Sequence, residues 1–232
     1  MAGSRWGQVQ DALAVIAPIC AERDEDGIDV WFLNDKKVWP NRRNAGDIIE
    51  IFQEAQPRGQ TFTGKRLYEM LTPYLAGYKR NPSGTKPVNV IVITDGEAHD
   101  DVAGVIMDIA KKLDKWEAPP WQVGIQFFQI GNDEQARKML KDLDDELGRD
   151  QGLRDIVDTV PFKNDHDADL SLAGIMKVSS YESVTVLDAD SKTRSCLVVS
   201  TAVWTGSLRN FTGSSALSYL LKQRDLFFPL FQ

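Results

Sequence analysis

Val88-Asn89-Val90-Ile91-Val92-Ile93-Thr94-Asp95 is a nearly unbroken run of β-branched residues. Such a run suits a strand buried on both faces of a parallel sheet, where neither side needs to be polar. It stops abruptly at Thr94-Asp95-Gly96, which places a carboxylate at the strand's carboxyl end. In open α/β sheets ligands bind just outside that edge, so Asp95 stands where an oxygen ligand for a hard cation would be useful. The same Asp-Gly pair also reads as a simple turn, and the flanking sequence has to decide between the two.

Downstream, Val102, Val105, Ile106, Ile109, Leu113 and Trp116 recur at helical spacing over about 101–117, and Pro119-Pro120 end that helix. Trp121 to Ile130 reads as a second buried strand closed by Gly131. Asp133 is expected to cap a helix bearing Ala136, Met139, Leu140, Leu143 and Leu147. A short strand at 156–160 precedes a helical start at 167–177. Upstream, Trp6, Val9, Leu13, Ile16 and Cys20 mark one face of an opening helix over 5–21, with Pro18 expected to kink or end it. A strand at 28–33 and an edge strand at 36–39 follow. Asp47 is expected to cap a short helix through Phe52, and Leu67, Met70, Leu71, Tyr74, Leu75 and Tyr78 line one side of the next helix. Strand and helix alternate throughout, which argues for a mostly parallel, Rossmann-like α/β sheet with helices on both faces.

Composition narrows the function. With 232 residues, 42% hydrophobic and 26% charged, the chain can bury a full core. A formal charge of −7 provides no electrostatic footprint for nucleic acid or an anionic membrane, so neither is expected as a partner. Two cysteines and two histidines suggest neither a disulfide framework nor a zinc centre, and a reducing, cytoplasmic setting fits. Trp31, Trp39, Trp116 and Trp121 read as core or rim packing rather than a ligand cage. Asp142, Asp144, Asp145 and Glu146, beside Lys138 and Lys141, read as a solvated helix face.

The order of these elements, the loop Gly59-Gln60-Thr61-Phe62-Thr63-Gly64 and the strand ending Ile93-Thr94-Asp95-Gly96 together resemble the von Willebrand factor A (vWA) domain family, in its intracellular form, over residues 1–177. The resemblance implies a metal-ion-dependent adhesion site, in which three loops at the carboxyl edge of the sheet hold a divalent cation. Carried over by position, Thr61 matches the family's second-loop Thr and Asp95 its third-loop Asp. It further implies Mg²⁺ or Mn²⁺ as cofactor, an unidentified protein partner that completes the metal shell through an acidic side chain, and no enzymatic chemistry.

The departures from the family pattern carry their own expectations. The family's first strand and its Asp-x-Ser-x-Ser loop have no counterpart before Met1-Ala2-Gly3-Ser4-Arg5-Trp6. The metal site is therefore expected to be incomplete, with binding weak or absent. An internally assigned start codon would account for this, and loss of a central strand should expose the flanks of its neighbours and leave the chain poorly soluble or partly unfolded. At the other end, Val178-Ser179 opens a Ser/Thr-rich stretch in which only Leu197-Val198-Val199 and residues 226–231 are apolar. The tail 178–232 finds no place in the sheet on sequence grounds and is expected to be disordered or an artefact of the gene model, in part unspliced intron.

Two rival readings stay open. One is a metal-free scaffold domain. The other is a Mg²⁺-dependent hydrolase using Asp95 with Asp100 or Asp101, since clustered carboxylates can hold the ion and position a water. Glu97, His99, Asp100 and Asp101 read either as auxiliary ligands or acid/base groups, or as a helix start with Asp100 or Asp101 capping the following helix.

Overall fold

A computed structural model of the protein describes residues 4–23, 26–57, 59–131, 133–149, 152–160 and 194–199. The expected helical start at 167–177 and most of the tail lie outside these residues. In chain order the elements are helix α1 (Ser4–Arg23), strands β1 (Ile28–Phe32) and β2 (Val38–Arg42), helices α2 (Ala45–Glu54) and α3 (Thr63–Arg80), strand β3 (Val88–Thr94), helix α4 (Val102–Lys115), strand β4 (Val123–Gln129), helix α5 (Glu134–Arg149), and strands β5 (Val157–Val160) and β6 (Arg194–Val199). The fold is α/β.

The strands form one sheet in the order β2-β1-β6-β3-β4-β5. Among the described strands only the β1–β2 pair is antiparallel, and the other four pairings are parallel. The decisive stretch behaves as its composition demands. Val88, Val90 and Val92 of β3 enter a core built with Leu67, Leu71 and Leu75 of α3, Ile106 and Leu113 of α4, and Leu140 of α5. Ile91 and Ile93 point the other way, into a core built with Val9 and Leu13 of α1 and Ile48 and Phe52 of α2. The period-two alternation of a strand thus feeds two helical layers, and each buried aliphatic side chain contributes about 1.5–3 kcal/mol of transfer free energy.

Several local expectations shift. Helix α1 continues through Pro18 to Arg23, because the burial of Leu13, Ala17 and Cys20 along one face outweighs the backbone bond that proline removes. Asn44, not Asp47, caps α2: its Oδ1 accepts from the Asp47 N–H at 3.0 Å, while Asp47 Oδ2 accepts from the Arg43 N–H at 3.1 Å. Trp121 falls in a 3₁₀ turn before β4 and is 53% exposed. That turn, closed by the Gln122 N–H donating to the Pro119 carbonyl at 3.1 Å, delays the start of pairing until Val123.

The largest difference is β6. Residues 194–199 come from the tail that sequence reasoning leaves outside the sheet, yet they pair with β1 on one side and β3 on the other. A boundary at residue 177 therefore does not enclose the sheet, and the flanks of β1 and β3 that a missing central strand would expose are covered by β6. Local sequence could not reveal this, because three consecutive apolar residues carry no periodicity that names a neighbouring strand.

Candidate functional site

Because β1, β6, β3 and β4 run parallel, their carboxyl ends lie along one edge of the sheet. The chain leaves β3 under tight control: the Thr94 hydroxyl donates to the Gly96 carbonyl at 2.9 Å, and the Ile130 N–H donates to the Thr94 carbonyl at 2.8 Å. Asp95, between these ties, is 2% exposed. Burial pushes its carboxyl above the ordinary carboxylate range, and the nearby Arg5 guanidinium pulls in the opposite direction.

Arg5 sits in the first turn of α1, with Nη1 3.7 Å from Asp95 Oδ2. Gly131, just past β4, makes the room: its φ is +80°, and a Cβ there would lie 2.5 Å from Arg5 Cζ. A side chain at 131 would be strained by the backbone and would displace the guanidinium.

The second loop is fastened to the first. The His99 N–H donates to the Thr61 carbonyl at 2.8 Å, and the Thr61 N–H donates to His99 Nδ1 at 3.2 Å. Thr61 is fully buried, and among the described residues its hydroxyl has no hydrogen-bond partner. Asn34, at the exit of β1, donates to the Gln60 carbonyl at 2.7 Å. Arg66 of α3 donates to the Asp35 carbonyl at 2.6 Å and stacks over Trp31 at 4.8 Å. These contacts hold the loop bearing Thr61 against the same edge that carries Asp95.

Asp100 and Asp101 both cap helices, but not the same one. The Asp101 carboxylate accepts from the Gly104 N–H at 2.8 Å, capping its own helix α4. The Asp100 carboxylate reaches across to α3 and accepts from the N–H groups of Gly64 (3.1 Å) and Lys65 (2.7 Å). Helix α3 has no side-chain cap of its own, since its N-cap residue is Phe62. A negative charge on two open N–H groups at the positive end of the helix dipole fills that need. Gly64 permits the approach: a Cβ there would lie 2.8 Å from the Asp101 carbonyl oxygen.

Structure thus joins the loops of Thr61 and Asp95 and turns Asp100 and Asp101 to structural use. Glu97 lines a groove of about 420 Å³ that begins at Asp100 and Asp101 and runs beside Lys138, Met139 and Asp142 of α5. Sequence reasoning missed Arg5, Gly131 and the cross-loop role of Asp100. Arg5 did leave a signal, because a cation in the first turn of a helix opposes the dipole and invites a specific reason for being there. Among the described residues no group of three His, Cys, Asp or Glu side chains could hold a metal ion, and no helix is long and apolar enough to cross a membrane.

No protein-family model, no curated protein and no solved structure matches the chain.

Proposed function

We propose that this chain is a cytoplasmic protein-interaction module of the vWA type, which engages a partner protein's acidic side chain at the carboxyl edge of a Rossmann-like sheet, next to Thr61 and Asp95. The observation that carries this reading is the Thr61 hydroxyl, buried without a partner among the described residues and fastened through His99 to the loop that follows Asp95. A buried hydroxyl without a partner costs free energy, and a ligand at the edge would recover it. The layout of parallel strands between two helical layers supports the same placement.

Thr61 and Asp95 are hard oxygen donors, and their chemistry fits Mg²⁺ or Mn²⁺. Two donors leave most of an octahedral shell to water and to the partner's carboxylate. When bound, the cation would supply positive charge that attracts that carboxylate. Arg5 already brings positive charge to Asp95, which disfavours a second cation there and makes affinity weak. That contact favours a second reading, a metal-free scaffold in which Arg5 neutralises Asp95 permanently. The hydrolase reading is less favoured, because the Asp100 carboxylate and Oδ1 of Asp101 accept hydrogen bonds from N–H groups at helix termini.

Calorimetric titration of the full chain with Mg²⁺ and Mn²⁺ separates the two readings. Cation-assisted docking expects weak saturable binding that strengthens severalfold in Arg5→Gln and disappears in Thr61→Val. Absence of binding in both the natural chain and Arg5→Gln would leave the scaffold reading standing and remove the cation.

A further inference from the structure

Strand β6 is the only described strand that joins the two halves of the sheet. It pairs with Ile28–Phe32 through Ser195–Val199 and with Val88–Ile93 through Arg194–Val199, and β1 and β3 do not pair with each other. Take β6 away and two ribbons remain, β2-β1 and β3-β4-β5, with open parallel edges facing each other across one strand's width. Unpaired inner edges of this kind are templates for an incoming strand.

The occupant of this slot arrives last. Every other described element precedes it in the chain, and residues 161–193 separate it from β5. In the sheet β5 and β6 are three strand spacings apart, or about 14 Å, whereas a connection of that length can extend on the order of 100 Å. The covalent link therefore does not dictate whose slot the strand fills. A second copy carries the identical strand, and exchange would reproduce every ladder bond without requiring any new surface.

We propose that the slot between β1 and β3 is a strand-docking site that accepts Arg194–Val199 from a second copy of this chain, giving a strand-exchanged dimer in which each copy completes the other's sheet. The intramolecular arrangement prevails when the protein is dilute, because the tether supplies a high local concentration; the exchanged one grows with protein concentration. This inference rests on the sheet topology and is independent of the cation site.

Register supplies the test. Val90 of β3 lies directly opposite Cys196 of β6, and neighbouring strands sit about 4.8 Å apart, within reach of a disulfide. Two full-length variants are prepared, both carrying Cys20→Ala. One adds Val90→Cys and Cys196→Ser, so that it reports on the slot; the other keeps Val90 and Cys196, so that it supplies the strand. After mixing and mild oxidation, a disulfide joining position 90 of one variant to Cys196 of the other, identified by mass spectrometry of the linked peptides, reports the strand of one copy in the slot of the other, and each variant oxidised alone gives the background from random collision. The expected result is a linked dimer on non-reducing gels whose fraction rises severalfold over a roughly tenfold increase in concentration. A control with Cys20→Ala, Val90→Cys and the native Cys196 should cross-link within one copy when dilute. Internal cross-linking in the control with no linked dimer from the mixture at any concentration overturns exchange. Failure of the control to cross-link overturns it too, because β6 would then not occupy the slot.

Discussion

Thr61 and His99 are bonded to each other twice: the His99 N–H donates to the Thr61 carbonyl and the Thr61 N–H donates to the His99 ring. One residue belongs to the loop before α3 and the other to the loop after β3, so this pair ties the loop of Thr61 directly to the loop that follows Asp95.

Replacing His99 by Ala leaves the Thr61 N–H without its acceptor inside a buried site, at an expected cost of about 1–3 kcal/mol in denaturant unfolding. Thr61→Val behaves differently. It removes a hydroxyl with no partner among the described residues, so stability should stay level or rise. A loss above about 1 kcal/mol in Thr61→Val would mean that the hydroxyl is a structural donor and is not held open for a ligand.

Asp100→Ala should destabilise by about 1–2 kcal/mol and speed amide exchange at Gly64 and Lys65, while leaving Gly104 protected. Asp101→Ala should do the reverse, exposing Gly104 and sparing α3. Exchange measured by NMR at these three amides checks the assignment, and a swapped pattern would contradict it.

The pH dependence of stability has opposite signs at two aspartates. Asp95 has its carboxyl raised above 3.8 in the fold, chiefly by burial, so its contribution to stability is fully present below that value and is lost as pH rises through the folded pKa. The difference in unfolding free energy between Asp95→Asn and the natural chain should therefore move in favour of the variant as pH increases. Asp114 has its carboxyl lowered below 3.8, chiefly by its hydrogen bond from Arg154, so its contribution is present above 3.8 and fades as pH falls through the lower folded value. Asp114→Asn should cost more at neutral pH than in acid. Denaturant unfolding at several pH values reads both slopes, and a flat difference at Asp95 would contradict the burial argument.

Gly131→Ala should cost about 1–2 kcal/mol or more, from its positive φ and from the collision with the Arg5 guanidinium. In an Arg5→Ala background only the backbone part remains, so the double-mutant cycle should return a coupling of about 0.5 kcal/mol or more. Strict additivity would mean that Arg5 does not lie over Gly131.

Much of this molecule could be read along the chain. The β-branched run at 88–95, the helical spacing at 102–113 and the cap at Asp133 are local signals, and each is found where it was expected; of the two aspartates offered as caps for α4, Asp101 takes that place. Expectations failed where a distant neighbour intervened. Pro18 is carried inside α1 by the core beneath it, and Asp100 serves a helix that begins far upstream in the chain.

The sequence by itself determined most of the helices and strands up to residue 160 and that Asp95 ends a buried strand, because propensity and periodicity are properties of neighbours in the chain. Only the tertiary structure decided that Arg5 faces Asp95, that Asp100 caps α3 and that Arg194–Val199 lies between β1 and β3. A strand's backbone groups can pair with any open edge, and a carboxylate can serve any nearby helix end. Such choices depend on which surfaces meet in space, and no local pattern records that.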